Sequence, residues 1–169
     1  PMRAPLPLPC GHCRRFRDAR VLELKFCGLT RSADAAAAQE LGAEYAGVIF
    51  ARGPRLVDAA GARAVFAPLS GGEVRRVGVF GRQHPEEIVR IADETALHVI
   101  QLHDGATPDA LLMLRERFDG AIWVVLGVDG ALVPAVDDAV ALAADAVVLD
   151  TSAGGHTGGT GVAFDWEGA

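Results

Sequence analysis

Short apolar runs rich in β-branched residues alternate with Ala- and Leu-rich segments along the chain from Val21 onward. The runs predict buried parallel strands and the segments between them predict helices, so we expect a domain built from βα units. Six strands are predicted, at 21–27, 45–50, 75–80, 98–103, 121–128 and 146–151. Five helices are predicted between them, at 34–42, 59–69, 85–96, 108–118 and 133–144.

This regularity fits two architectures, an open doubly wound sheet and a (β/α)₈ barrel. A closed barrel normally needs at least about 200 residues, whereas residues 21–169 leave room for about six units. The first strand is not followed by GxGxxG, and the glycine-rich segment 152–161 is not followed by Gly-Lys-Ser/Thr. A dinucleotide-binding domain and a Walker-type phosphate loop are therefore disfavoured.

The composition is that of an ordinary globular domain, because half of the 169 residues are apolar and 22% are charged. The formal net charge of −6 disfavours binding to nucleic acid or to anionic lipid. No apolar run approaches the ~18 residues that cross a bilayer, and no secretory signal is recognisable, so we expect a cytoplasmic location. Three cysteines do not make a disulfide framework, and Cys27 is expected to be a free thiol.

Residues 1–20 differ from the rest of the chain and are predicted to be a disordered extension before a single domain at 21–169. Four prolines fall in the first nine positions, and an Arg-rich stretch follows. The CGHC sequence at 10–13 has the spacing of a redox pair, but such a pair works where a strand leads into a helix, and proline-rich sequence precedes it here. A zinc site would need a second pair of ligands. We therefore expect neither a redox role nor a zinc site for this CGHC sequence.

Polar residues at the predicted carboxyl ends of strands are the candidates for function, because sites in parallel α/β folds gather there. These residues are Cys27, Arg55, Gln101, His103 and Asp150 with Thr151. Taken singly, each also has a structural interpretation. A cysteine can be a small core residue, an arginine a solvated loop residue, a histidine a structural group and an aspartate a loop cap.

Six sequence motifs fall between residues 25 and 166. They are KFCGLT (25–30), GVIFARGPRLV (47–57), RRVGVF (75–80), QLHDG (101–105), VLDTSAGGHTGGTG (148–161) and FDW (164–166). Taken together, and in this order, they resemble the phosphoribosylanthranilate isomerases, (β/α)-barrel enzymes of tryptophan biosynthesis. The chain departs from the family pattern at Phe26, in a loop about one residue short before Pro54, and at 162–163.

The resemblance implies an α/β fold that is a partial (β/α)₈ TIM barrel of about six units, incomplete at its C-terminal end. It also implies an aldose–ketose isomerisation of the Amadori type, which converts N-(5-phosphoribosyl)anthranilate to 1-(2-carboxyphenylamino)-1-deoxyribulose 5-phosphate without a cofactor. By this resemblance Cys27 is the general base and Asp150 the general acid. Arg55 is expected to bind the anthranilate carboxylate, His103 to line the site beside the aromatic ring, and segment 152–161 to form a flap.

The closing units of the family barrel, with their phosphate-binding loops, would lie beyond the FDW motif. We therefore expect this chain to be inactive alone and to self-associate through open sheet edges. The alternative is a truncated, non-catalytic (β/α) module that acts only as an interaction partner. A resemblance to indole-3-glycerol phosphate synthase is disfavoured, because that enzyme relies on lysines and glutamates and this chain has one lysine, Lys25.

Overall fold

The structure of the chain is a computed structural model that describes residues 22–69, 71, 73–128, 143–153 and 156–157. The strands are β1 (Lys25–Cys27), β2 (Tyr45–Ile49), β3 (Arg75–Phe80), β4 (Val99–Leu102), β5 (Ala121–Val128), β6 (Ala146–Ala153) and β7 (His156–Thr157). The helices are α1 (Ser32–Glu40), α2 (Ala59–Phe66), α3 (Pro85–Thr95) and α4 (Pro108–Arg115), with a 3₁₀ turn at Ala67–Leu69 after α2.

The order of the strands decides between the two architectures. Strands β1 to β6 are all parallel, and each pairs with the next strand along the chain. A doubly wound sheet would reverse its strand order at a switch point, whereas a barrel adds each strand on the same side of the previous one. The described residues therefore form six parallel strands and four helices of an open (β/α) barrel, and the partial-barrel prediction is confirmed.

The sheet has an apolar core on each face, because successive strand side chains point to opposite sides. The larger core lies between the sheet and the helices, where Phe50 and Phe80 stack with ring centroids 5.0 Å apart. The smaller core lies on the other, concave face and is built from Tyr45, Val77 and Val99 with Ala121 and Trp123 packed against them. A helix-facing core and a separate inner core are what a barrel requires.

The predicted elements agree with the structure except at some ends. Strand β1 begins at Lys25 rather than at 21, and Leu22 is 82% exposed. Strand β7 was not predicted; it pairs antiparallel with the end of β6, as Ser152↔Thr157 and Ala153↔His156. In the sequence, two glycines separate these strands, a length and composition typical of a tight hairpin. The predicted helix at 133–144 lies almost wholly outside the described residues.

The loops that follow β2 and β4 end at helix caps. The side chain of Asp58 accepts a hydrogen bond from the backbone N–H of Gly61 at 2.7 Å, and Thr107 accepts one from Ala110 at 3.2 Å. Pro85 and Pro108 occupy the first turns of their helices, where a missing N–H costs little. These caps fix where each strand-end residue can reach.

Asp145 joins β5, α4 and the beginning of β6. Its carboxylate accepts hydrogen bonds from the backbone N–H of Ile122 at 2.7 Å and from the Arg115 guanidinium. Burial alone would raise the pKa of this carboxyl, but these two donors outweigh it and the pKa lies below its usual range. The carboxylate therefore stabilises the fold at neutral pH.

We expect Asp145→Ala to lower the free energy of unfolding by about 1–2 kcal/mol at pH 7, mainly because the part-buried N–H of Ile122 loses its acceptor. Since the folded-state pKa is lowered, this contribution is present above the ordinary aspartate pKa and is lost as the pH falls through the folded-state value. Urea unfolding at pH 7 and at pH 3 measures the difference. An equal loss at both pH values would contradict the assignment.

Candidate active site

The strand register shows which side chains of neighbouring strands lie on the same face of the sheet. Cys27 pairs with Gly47, Gly47 with Val77, and Val77 with Val99. Partners in register and residues two apart on a strand point to the same side.

Following the same alternation from Val99 leads to the far edge of the parallel sheet. Gln101 pairs with Trp123, and further along β5 Gly127 pairs with Asp150. Cys27 and Asp150 therefore share the concave face, and both lie toward the carboxyl ends of their strands. Because β1 and β6 are the outer strands of the six, the two residues stand on opposite sides of the open barrel mouth.

Cys27 is the last residue of β1 and is a free, exposed cysteine. Gly47 beside it has no side chain, and a Cβ placed there would lie 3.4 Å from the Cys27 Sγ and 3.3 Å from the Lys25 Cε. The backbone turns directly after the cysteine, where the N–H groups of Gly28 and Leu29 both donate to the carbonyl of Gly47 at 2.9 Å. Because Gly47 has no side chain, the Cys27 thiol and the Lys25 side chain both fit beside it.

Arg55 reaches the end of β1 from the loop between β2 and α2. Its Nη1 donates to the carbonyl oxygen of Cys27 at 3.4 Å. The guanidinium lies over Gly28, where an added Cβ would be only 2.6 Å from that nitrogen, and Gly28 has a φ of +79°. The loop is tied down by the N–H of Val57, which donates to Ile49 at 2.9 Å. The structure thus brings Arg55 next to Cys27.

Lys25 and Gln101 lie deeper on the same face and contact each other. The Lys25 Nζ donates to the Oε1 of Gln101 and lies 5.5 Å from the centroid of the Trp123 ring. Gln101 is 5% exposed, and the edge of Tyr45 packs on Trp123 at 4.8 Å. Burial lowers the pKa of Lys25, while the neighbouring Cys27 raises it in part.

No role was predicted for Lys25 from the sequence, although one signal was available. A lysine two positions before a cysteine on a strand must share its face with that cysteine. The contact with Gln101, by contrast, joins residues 76 positions apart and follows only from the fold.

His103 follows β4 at the mouth, and its backbone N–H donates to the carbonyl of Phe80 at 2.8 Å. The adjacent Asp104 accepts a hydrogen bond from the Arg82 Nε at 2.7 Å. The guanidinium, helped by the backbone N–H of Gly105, lowers the pKa of the Asp104 carboxyl. The Arg82–Asp104 pair links the β3 and β4 loops at the exposed rim, while His103 beside it is half-buried.

Asp150 lies within β6 and is half-buried. Its Oδ1 accepts a hydrogen bond from the backbone N–H of Thr151 at 2.9 Å. Gly127, its register partner, places no side chain beside it. The register position next to Asp150 on β5 therefore carries no side chain.

The described residues also bear on metal binding and on membrane insertion. They contain no group of three or more His, Cys, Asp or Glu side chains that could hold a metal ion. None of the helices described is long and apolar enough to cross a membrane.

The sequence matches one protein family over most of its length. The family model described as N-(5'phosphoribosyl)anthranilate (PRA) isomerase matches residues 24–168. An N-(5'-phosphoribosyl)anthranilate isomerase of Brevibacillus brevis is 38% identical over 149 residues, which cover 85% of this chain and 65% of that protein. The chain spans about two thirds of the length of such relatives.

Solved structures give the same result. The crystal structure of phosphoribosyl anthranilate isomerase from Thermus thermophilus matches with a TM-score of 0.72 and 33% identity, over 85% of this chain and 68% of that one. A phosphoribosyl anthranilate isomerase in complex with reduced 1-(o-carboxyphenylamino)-1-deoxyribulose 5-phosphate matches with a TM-score of 0.64 and 27% identity, over 78% and 66%. The chain therefore belongs to the N-(5'-phosphoribosyl)anthranilate isomerase family.

Proposed function

We propose that this protein isomerises N-(5-phosphoribosyl)anthranilate to 1-(2-carboxyphenylamino)-1-deoxyribulose 5-phosphate, with Cys27 as general base and Asp150 as general acid. The observation that carries the proposal is the shared position of these two residues, on one face and toward the same end of the parallel sheet. A cyclic sugar bound across the mouth would have a thiol on one side and a carboxyl on the other. Membership of the isomerase family supports the same assignment.

The chemistry needs one acid and one base. The protonated carboxyl of Asp150 donates its proton to the ribose ring oxygen, the bond from that oxygen to C1 breaks, and the nitrogen lone pair forms the Schiff base. The Cys27 thiolate then removes the proton from C2, and the electrons of that bond give an enolamine. Protonation at C1 and loss of the hydroxyl proton at O2 yield the ketone, so substrate and product have the same atoms.

Arg55 is proposed to bind the anthranilate carboxylate. A guanidinium presents paired donors that match a carboxylate, and this one lies against Gly28 beside the Cys27 carbonyl. That position would hold the aromatic acid next to the base. His103, at the rim of β4, is proposed to line the site beside the aromatic ring.

The phosphate of the substrate needs a site of its own. In (β/α)₈ barrels this site is frequently formed by the loops after the seventh and eighth strands, and the described residues contain six parallel strands. We therefore propose that the phosphate is bound outside these six strands.

The test is turnover of N-(5-phosphoribosyl)anthranilate, followed by loss of its fluorescence and by chromatography of a product of unchanged mass. The protein expressed from its whole reading frame is expected to convert the substrate. Arg82→Met, which removes only a surface cation paired with Asp104, should leave the rate unchanged. Binding of the substrate or of another protein without turnover would contradict the proposal and favour a non-catalytic module.

A further inference from the structure

Lys25 is the one lysine of the chain, and its side chain runs along the inner face rather than into solvent. Its hydrogen-bond acceptor in the described structure is the neutral amide of Gln101. Trp123 offers the face of a ring, and Cys27 offers a sulfur two positions away on the same strand. The lysine thus carries its charge into a largely neutral surrounding.

Two described carboxylates on the same face, Glu23 and Asp150, make other contacts. Glu23 binds the Tyr45 hydroxyl and Arg75, both at 2.9 Å, at the amino end of the sheet. Asp150 lies on β6, across the mouth from β1. Neither carboxylate is the hydrogen-bond partner of Lys25 in the described structure.

Such a lysine is costly as a purely structural residue. An ammonium withdrawn from water loses hydration that a neutral amide and a ring replace only in part, and an apolar side chain of similar length would fill the space at less cost. The lowered pKa of Lys25 reflects this cost, and the opposing effect of Cys27 reflects attraction between the ammonium and the sulfur. The positive charge of Lys25 is therefore explained if it stabilises an anion that forms beside it.

The surroundings hold the ammonium in one place. The buried Gln101 provides a fixed acceptor, and Tyr45 supports the Trp123 ring over which the ammonium lies. Gly47 leaves the space that both the Lys25 stem and the Cys27 sulfur occupy, as their distances of 3.3 and 3.4 Å from its missing Cβ show. A larger residue at Gly47 would push the two groups apart.

We propose that Lys25 is a positioning residue that supplies the counter-charge for the Cys27 thiolate, with Gln101 and Trp123 holding its ammonium in place. The catalytic meaning of this pairing rests on the proposed function, since a thiolate is the form of cysteine that removes a proton. The pairing itself belongs to the free protein and needs no substrate.

The test is the rate at which iodoacetamide alkylates Cys27 in the substrate-free protein at pH 7.5, read from its peptide by mass spectrometry. Lys25→Met removes the charge and keeps the length, and it should slow alkylation about tenfold and move its pH profile to higher pH. Lys25→Arg restores the charge and should recover much of the rate. Arg82→Met is the matched control, and its alkylation rate should equal that of the unsubstituted protein.

Gln101→Glu provides a second variant in case Lys25→Met fails to fold. It keeps the shape of the Gln101 side chain but gives the Lys25 ammonium a carboxylate partner. Because that carboxylate neutralises the charge that stabilises the thiolate, alkylation of Cys27 should slow about fivefold or more. Alkylation of the folded variants at the unsubstituted rate would overturn the proposal.

The same samples separate this inference from the proposed function. If Lys25→Met slows alkylation but the unsubstituted protein does not turn over N-(5-phosphoribosyl)anthranilate, the pairing holds and the function fails. If the unsubstituted protein turns over the substrate but Lys25→Met leaves the alkylation rate of Cys27 unchanged, only the proposed pairing fails. For an active enzyme, Lys25→Met should lower kcat with little change in KM, because the lysine acts through Cys27.

Discussion

Asp150→Asn is expected to lower kcat for the isomerisation by about 10²–10⁴-fold, because an amide cannot donate the proton that opens the sugar ring. The substitution changes little else. The asparagine oxygen can still accept the hydrogen bond from the N–H of Thr151, and the side chain keeps its shape beside Gly127. Steady-state kinetics on the protein from its whole reading frame measure the loss, with KM expected to stay within a few-fold.

Asp104→Asn is the matched control for this prediction. Asp104 is also a carboxylate near the carboxyl end of a strand, but it pairs with Arg82 at the exposed rim of β4. Its replacement should change kcat less than twofold. If Asp150→Asn kept kcat within tenfold of the unsubstituted protein, Asp150 would not be the acid.

Cys27→Ser is the second substitution with a large expected effect. A hydroxyl is a far weaker base than a thiolate at neutral pH, so kcat should again fall about 10²–10⁴-fold. Since the side chain is exposed and makes no disulfide, the free energy of unfolding should change by less than about 0.5 kcal/mol. The measurement pairs steady-state kinetics with a urea unfolding curve.

Cys27→Ala should be as inactive as Cys27→Ser, because both lack the base. Cys13→Ser, in the segment that precedes the domain, should keep full activity. A serine variant that retained a tenth or more of kcat, or a loss explained by unfolding, would count against Cys27 as the base.

The fold was largely predictable because strong local patterns coincide with the elements. Strands β3 and β5 occupy the residues that their apolar runs predict. The beginning of β1 was misplaced because Leu22 and Leu24 are apolar but exposed, so hydrophobicity there does not report burial. Whether the sheet is doubly wound or a barrel depends on strand order, which periodicity does not contain; only the family motifs favoured the barrel.

The candidate site was predictable only in part. Candidate residues could be placed at strand ends from the sequence, but their roles as base, acid and substrate ligands came from the family resemblance. The contact of Arg55 with the end of β1 depends on the folded loop and on the missing side chain of Gly28. The contact of Lys25 with Gln101 depends on the curvature of the sheet, which brings β1 and β4 together. Such contacts join distant positions and have no local signature.

Whether Cys27 and position 150 face one ligand can be measured directly. In an Asp150→Cys variant of the protein from its whole reading frame, iodoacetamide labels both positions, and peptides report each one separately. The reduced product analogue bound by a related isomerase is the ligand to add. Both positions should become at least tenfold slower to label, with the same half-saturating concentration, while Cys10 and Cys13 react as before. Protection of one position without the other would contradict the shared mouth on which the proposed chemistry depends.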